Sequence, residues 1–281
     1  MSGLRRVISG SGNLGTAAVL LGVYLYSRVQ PSEGYLQAHK VGSPPVGEHG
    51  LSLRTWLAST ALARQVMRFQ MRDGSAINSR IVDAGALLSV HMDSDYDIPG
   101  VAWSAARTIV DIGAHVGCFT VWAARRAPHA RLLAVEPNPE TFQLLVQNIR
   151  SNGLEDRVVA INAAVGVEPG TAQLDFVAHS LGTRIAVAAG DGVRVRVQTL
   201  GGLLAEASVS QIEMLKMDCE GMEYSILPTL GMKGLDVIGA LACEYHPEPG
   251  HNPSELDAIL LSAGFRVRRP DAPLGVLWAT R

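Results

Sequence analysis

The chain has 281 residues, is 47% hydrophobic and only 5% aromatic, and carries a formal net charge of -2. That suits a soluble globular protein with one large domain plus an extension, or two small domains. The near-neutral balance speaks against a partner bound through nucleic-acid phosphates, and three cysteines give no disulfide framework, as expected of a cytoplasmic chain.

Arg5 and Arg6 precede a charge-free run, Val7–Ser27. Its most apolar part, Leu14–Tyr26, is short for a membrane span, and no small-x-small cleavage site follows it. The first expectation is a helix packed on the domain or on a partner chain. The second is membrane contact through residues 7–27. "KVGSPPVGEHG" (Lys40–Gly50) reads as a linker. Leu53, Trp56, Leu57, Ala61, Leu62, Val66 and Met67 recur at helical spacing, which predicts an amphipathic helix over Leu51–Met71. Leu87–Met92 reads as a strand. Residues 1–80 are therefore expected to form a helical extension, and residues 81–281 the main domain.

From Thr108 the pattern becomes regular. Strands are predicted at Thr108–Ile112, Arg131–Glu136, Arg157–Asn162, Ile212–Asp218 and Val237–Glu244. Helices are predicted at Cys118–Ala127, Glu140–Ser151, Leu203–Ala207, around Glu223–Leu230 and at Pro253–Ala263. Ala172–Val177 and Val193–Gln198 suggest a β excursion. Phe265–Arg269 and Gly275–Ala279 suggest a closing antiparallel pair. Strands alternating with helices make an α/β fold with a mostly parallel sheet and helices on both faces. Ligands of such sheets bind at the carboxyl ends of the strands, where the strand order reverses.

The polar residues with unusual neighbours sit at those ends. "TIVDIGAHVGCFT" (Thr108–Thr120) is a strand, a glycine turn and a helix start. Missing side chains at Gly113 and Gly117 let a ligand approach the backbone, and the helix N-terminus offers free N–H groups. Neither the dinucleotide fingerprint nor the P-loop is matched. An acid at Asp111 suits a cationic amine better than a phosphate. Nineteen residues after Gly117 stands Glu136, an acid that can accept hydrogen bonds from ribose hydroxyls; it can also cap the helix that begins near Asn138. A ribose and an amino-acid-like amine describe S-adenosylmethionine. "LKMDCEGMEYSIL" (Leu215–Leu227) then groups Asp218, Glu220 and Glu223 around Gly221, and "CEYHP" (Cys243–Pro247) adds Glu244 and His246.

Together, "VDIGAHVGCFT", "AVEPNPETFQLLVQNI", "INAAVG", "TLGGLLAE", "LKMDCEGMEYSIL" and "CEYHP" resemble the FkbM-type methyltransferases. The resemblance covers roughly Ile81–Ala263, and the Asp-x-Glu-Gly-x-Glu block is its most specific piece. It implies a Rossmann-like class I methyltransferase fold with a seven-stranded sheet. It also implies S-adenosylmethionine as cofactor and a small-molecule, sugar or lipid acceptor, mostly methylated at oxygen. Carried over, Asp111, Gly113 and Gly117 would hold the methionine end, and Glu136 the ribose. Asn138 and Asn162 would face the adenine side, and Asp218 the amine or sulfonium. The family often has Asn where His115 stands, which bears on a cofactor contact, and Asp where Gly201 stands.

In-line methyl transfer depends on orientation, and a base raises the nucleophilicity of a hydroxyl acceptor. His246 is the first candidate base, with Glu220 and Glu244 next; the other reading makes His246 a loop residue without chemistry. Asp218, Glu220, Glu223, Glu244 and His246 could instead hold Mg²⁺, against a preferred reading without metal in which Glu223 serves the next helix start. Cys118, Cys219 and Cys243 read as packing residues rather than a thiolate site. Lys216 is expected to pair with an acid. Rival classes are a nicotinamide-dependent oxidoreductase, which lacks its glycine fingerprint and a Tyr-x-x-x-Lys pair here, and a non-catalytic binding protein of the same fold. Acceptor specificity is expected in residues 1–107, Val167–Gly192 and the C-terminal hairpin.

Overall fold

The computed structural model describes residues 12–13, 15–16, 64–176, 183–186 and 192–281. Two strands open it, β1 (Val66–Gln70) and β2 (Ala76–Arg80), as an antiparallel hairpin. A 3-10 turn (Ile81–Asp83), α1 (Gly85–Leu88) and a π-helical turn (Ser89–Asp93) follow. The main alternation is β3 (Thr108–Ile112), α2 (Cys118–Arg126), β4 (Arg131–Val135), α3 (Pro139–Ser151) and β5 (Val158–Ile161). The excursion is β6 (Ala164–Val165), β7 (Gly170–Phe176), β8 (Thr183–Ala186) and β9 (Val193–Gln198). Then come α4 (Leu200–Glu206), β10 (Met214–Asp218), α5 (Glu223–Asp236), β11 (Ala240–Tyr245), α6 (Pro253–Ser262), β12 (Arg266–Arg268) and β13 (Gly275–Thr280).

The central sheet has seven strands in the order β12-β13-β11-β10-β3-β4-β5. β13 alone runs antiparallel to its neighbours. The order reverses between β3 and β10, which opens a crevice at their carboxyl ends. This is the expected α/β class I methyltransferase architecture, with its antiparallel C-terminal pair.

Alternate residues of each strand enter two separate cores. Ile109, Leu132, Ala134 and Met214 pack with Phe119, Trp122, Leu145 and Ile149 of α2 and α3. Val110, Leu133, Leu215 and Leu241 pack with Leu203, Ile226, Leu227 and Leu256 of α4, α5 and α6. Burial on both faces explains why these strands read as continuous aliphatic runs. α3 starts on Asn138, whose side chain accepts the N–H groups of Glu140 and Thr141. α6 starts on a capping box between Asn252 and Glu255. α5 breaks at Gly231 (φ 58), beyond Pro228.

Two sequence expectations fail before Thr108. Val66–Gln70, predicted as the end of a helix, is strand β1; the rest of that prediction, up to Ala63, lies outside the described residues. Its exposure alternates residue by residue, because only one face of this strand meets the domain, whereas Ala76–Ser79 of β2 are buried on both faces. Leu87–Met92, predicted as a strand, is helical, with Leu87, Leu88, Val90 and Met92 all buried. A short apolar run does not distinguish strand from buried helix. The stretch 7–27 and the linker at 40–50 fall largely or wholly outside the described residues. Among the described residues no helix is long and apolar enough to cross a membrane.

The hairpin is fixed to α3 by asparagines one helical turn apart. Asn148 Oδ1 accepts the Asn78 backbone N–H at 2.7 Å, and its amide donates to the carbonyls of Asn78 at 2.9 Å and Val116 at 2.8 Å. Asn152 makes the same paired contact with Ala76, accepting its N–H at 3.0 Å and donating to its carbonyl at 2.8 Å. Asn148 thus ties the hairpin to the loop after β3. Asn148→Ala would strand these buried backbone groups and should cost about 2–3 kcal/mol, read from the midpoint of urea unfolding.

Candidate active site

Gly113 ends β3 with φ +72, and a Cβ there would lie 1.9 Å from the carbonyl oxygen of Asp218. Gly117 caps α2 with φ +88, and a Cβ there would lie 2.7 Å from Leu145 Cδ1. Both glycines therefore make room for the chain itself: the tip of β10 in one case, α3 in the other. The sequence reading assigned the missing side chains to ligand approach; the atoms nearest both positions here are those of the protein. Gly113→Ala combines a left-handed backbone cost of about 1–2 kcal/mol with a backbone overlap. It should lower stability by about 3 kcal/mol in total and weaken S-adenosylhomocysteine binding, measured by denaturation and calorimetry.

Asp111, near the end of β3, lies in the interior. It is 1% exposed. Its Oδ2 accepts the Thr120 hydroxyl at 2.5 Å, and its Oδ1 lies 3.4 Å from Lys216 Nζ. Lys216 also reaches the Gly113 carbonyl at 2.6 Å and Asp218 at 3.4 Å. Burial raises the Asp111 pKa, with Lys216 and Thr120 opposing. Burial would lower that of Lys216, but Asp111, Asp218 and Glu244 outweigh it and push it up. Asp111 is thus the counter-ion of a buried lysine, as the lone Lys216 suggested.

At the tip of β4, Glu136 is 5% exposed. Its Oε2 accepts the His115 N–H at 2.9 Å and its Oε1 the Asn138 N–H at 2.8 Å. Each oxygen keeps a second lone pair, so the group can still take hydroxyl donors. Asn138 is engaged as the α3 cap, and Asn162 donates to the carbonyls of Glu136 at 2.8 Å and Pro137 at 3.0 Å. Both asparagines shape the loop that presents Glu136. His115 has φ +54, a region that Asn and His tolerate better than most side chains.

The tips of β10 and β11 carry the acids. Glu220 also sits at positive φ, +53. His246 is buried between them: its Nε2 lies 3.5 Å from Glu220, 3.9 Å from Asp218 and 4.0 Å from Glu244. Its Nδ1 lies 3.5 Å from Glu223. Burial works against charge on this imidazole. Glu223, Glu220 and Asp218 outweigh that and push its pKa up to about 10. These acids favour the protonated form of the imidazole. Burial raises Glu220 to about 8, with His246 opposing and its acidic neighbours adding. Burial and then Asp218 raise Glu244 to about 7, against His246 and a hydrogen bond from Tyr96. A carboxylate poised near neutrality suits general-base work.

Glu223 has no exposed surface; its oxygens accept the N–H groups of Cys219 at 2.7 Å and Gly221 at 2.9 Å. It holds the turn that aims Glu220, close to the helix-start role expected of it. Asp218, Glu223 and His246 bring ligand-type atoms within 4.8 Å of one another, which is the geometric basis for a metal alternative. The three cysteines are free, and burial raises each thiol pKa, in keeping with packing.

Tyr96 was not singled out by sequence reasoning. Its hydroxyl donates to Glu244 Oε2 at 2.5 Å, and its ring lies edge-on to Phe119. The Trp278 indole fixes the adjacent Asp95 carbonyl at 2.7 Å. No local pattern in "DSDYDIPG" marks that role, because its partner is far away in sequence.

The charge reaching the crevice is acidic: Asp218, Glu220 and Glu244 are 24%, 14% and 28% exposed, while Lys216 and His246 are buried beneath them. With Glu136 on the adjoining strand, the donor set fits a ligand that combines a ribose with positive charge, as S-adenosylmethionine does.

Residues 111–267, more than half of the chain, match the family described as the methyltransferase FkbM domain. The methyltransferase sdnD of Sordaria araneosa is 25% identical over 215 residues, covering 65% of this chain and 82% of that protein. Methyltransferase 1 of Beauveria bassiana is 27% identical over 205 residues, covering 65% and 81%. The 31-O-demethyl-FK506 methyltransferase FkbM of Streptomyces tacrolimicus is 25% identical over 215 residues, covering 66% and 82%.

Proposed function

Because the chain belongs to the FkbM methyltransferase family, and is thereby an S-adenosylmethionine-dependent methyltransferase, we propose that it methylates a hydroxyl of a small molecule, sugar or lipid. The observation that carries this reading is Glu244: a crevice-facing carboxylate raised to about 7 and oriented by Tyr96. The name of the Streptomyces tacrolimicus relative, an O-demethyl substrate methyltransferase, supports oxygen as the acceptor atom.

When bound, S-adenosylmethionine supplies a sulfonium-activated methyl group for in-line displacement. Glu136 receives the ribose hydroxyls on its remaining lone pairs. Asp218, partly exposed and already beside Lys216, replaces Asp111 as the acid facing the donor's amine. Lys216 holds the Gly113 carbonyl and Asp218 together, which sets the distance between the β3 and β10 tips. Glu244 takes the acceptor's proton. His246, kept cationic, holds Glu220 and Asp218 in place rather than acting as the base. Orientation supplies most of the rate, and the base adds about 10²–10⁴-fold.

The test has two arms. Calorimetry with S-adenosylhomocysteine and with NAD separates the methyltransferase from a nicotinamide enzyme. Methyl-labelled S-adenosylmethionine with a panel of hydroxylated and amine acceptors, read by mass spectrometry, identifies the acceptor atom. Label appearing only on nitrogen would overturn the O-methylation reading. Transfer should survive EDTA; loss with EDTA and recovery with Mg²⁺ would instead favour a metal held by Asp218, Glu223 and His246.

A further inference from the structure

The matched family span begins at Asp111, yet the loop after β3 is held partly from outside it. Asp83, in the 3-10 turn that follows β2, is completely buried. One of its oxygens pairs with Arg80 Nε, and the other, Oδ1, faces His115 Nε2 at 3.6 Å. Both of these facing atoms are buried and lack any hydrogen-bond partner. Arg80 in turn donates to Thr141 of α3 at 2.9 Å. The hairpin that carries Arg80 and leads into Asp83 is itself fixed by Asn148 and Asn152. A docked element thus delivers a carboxylate to the one residue of this loop whose side chain and peptide do different things. The His115 side chain meets Asp83; its backbone N–H, presented from the left-handed region, donates to Glu136.

We infer that Asp83 and His115 form a positioning pair for the nucleoside end of the donor. Asp83 anchors the His115 side chain, and the anchored His115 peptide fixes the Glu136 carboxylate against the ribose hydroxyls. The inference rests on the reading of Glu136 as the ribose acceptor. Neither residue touches the reacting atoms. The charged groups around the imidazole are Asp83, Glu136 and Arg80; burial opposes its charge, but the two acids outweigh burial and raise its pKa.

The experiment is S-adenosylhomocysteine binding to the full chain by calorimetry, from pH 6 to 9, for wild type, His115→Asn, Asp83→Asn and the double variant. His115→Asn is the decisive variant, because Asn tolerates the left-handed backbone but is too short to reach Asp83. Each single variant should weaken binding about tenfold, the loss expected when one buried charge pair is broken. The double variant should be no worse than either single, because both break one link. Wild-type affinity should fall as rising pH removes the His115 proton, and the slope should be smaller in both variants, where only the other acids of the crevice still titrate. Wild-type affinity and pH slope in His115→Asn would overturn the inference while leaving the ribose role of Glu136 intact. If wild type itself bound no S-adenosylhomocysteine, the ribose reading and this inference would fall together.

Discussion

Glu244→Gln should slow methyl transfer by about 10²–10⁴-fold, the usual contribution of a positioned base. Glutamine is isosteric and still accepts the Tyr96 hydroxyl, so the crevice should keep its shape; only the capacity to take a proton is lost. S-adenosylhomocysteine affinity should be unchanged, which separates a lost base from a damaged donor site. The pH dependence carries a sign. A general base works ionised, so wild-type turnover should fall as pH drops below about 7, where Glu244 takes up its proton. The variant should lack that acid limb. Turnover is to be measured on the acceptor that the labelled-methyl panel returns, and a variant as fast as wild type would remove Glu244 from the chemistry.

Lys216→Met should destabilise the fold by about 3–5 kcal/mol, because it leaves the buried Asp111 without its counter-ion. Breaking one side of a buried pair costs more than removing both. Asp111→Asn added to Lys216→Met should therefore recover much of the loss, which gives a measurable coupling between the two sites. Urea unfolding of the four proteins reads this directly. Independent, additive effects would mean that the 3.4 Å approach of the two charges contributes little, and that Lys216 acts mainly through the Gly113 carbonyl.

These two residues show where sequence reasoning succeeded and where it stopped. Lys216 was expected to find an acid, because a lone charge in an apolar strand has no other way to be buried. Glu244 was legible as a strand-end acid, but its contact with Tyr96 was not. The preference for His246 rested on its unperturbed pKa, which lies near neutrality. Four carboxylates gather around it from two strand tips: they raise the imidazole against burial, while burial itself, with the neighbouring acids, raises Glu244. The glycines were read as places where something lies close to the backbone, and the close neighbours the structure shows there are protein atoms. Positive φ at Gly113 follows from a tight strand-to-helix turn, but only folding brings the Asp218 carbonyl against it.

What the sequence determined by itself is the alternation from Thr108 onward, the closing antiparallel pair and the positions of the strand-end acids. Each depends on periodicity or on a side chain meeting backbone within a few residues. The tertiary structure alone decided that Val66–Gln70 is a strand, that Asp111 is the acid beside Lys216, that four carboxylates gather around His246, and that Asp83 faces His115 while Tyr96 reaches Glu244. All of these depend on partners brought from elsewhere in the chain, and a spacing pattern carries no information about which lone pair or proton a distant residue has already taken.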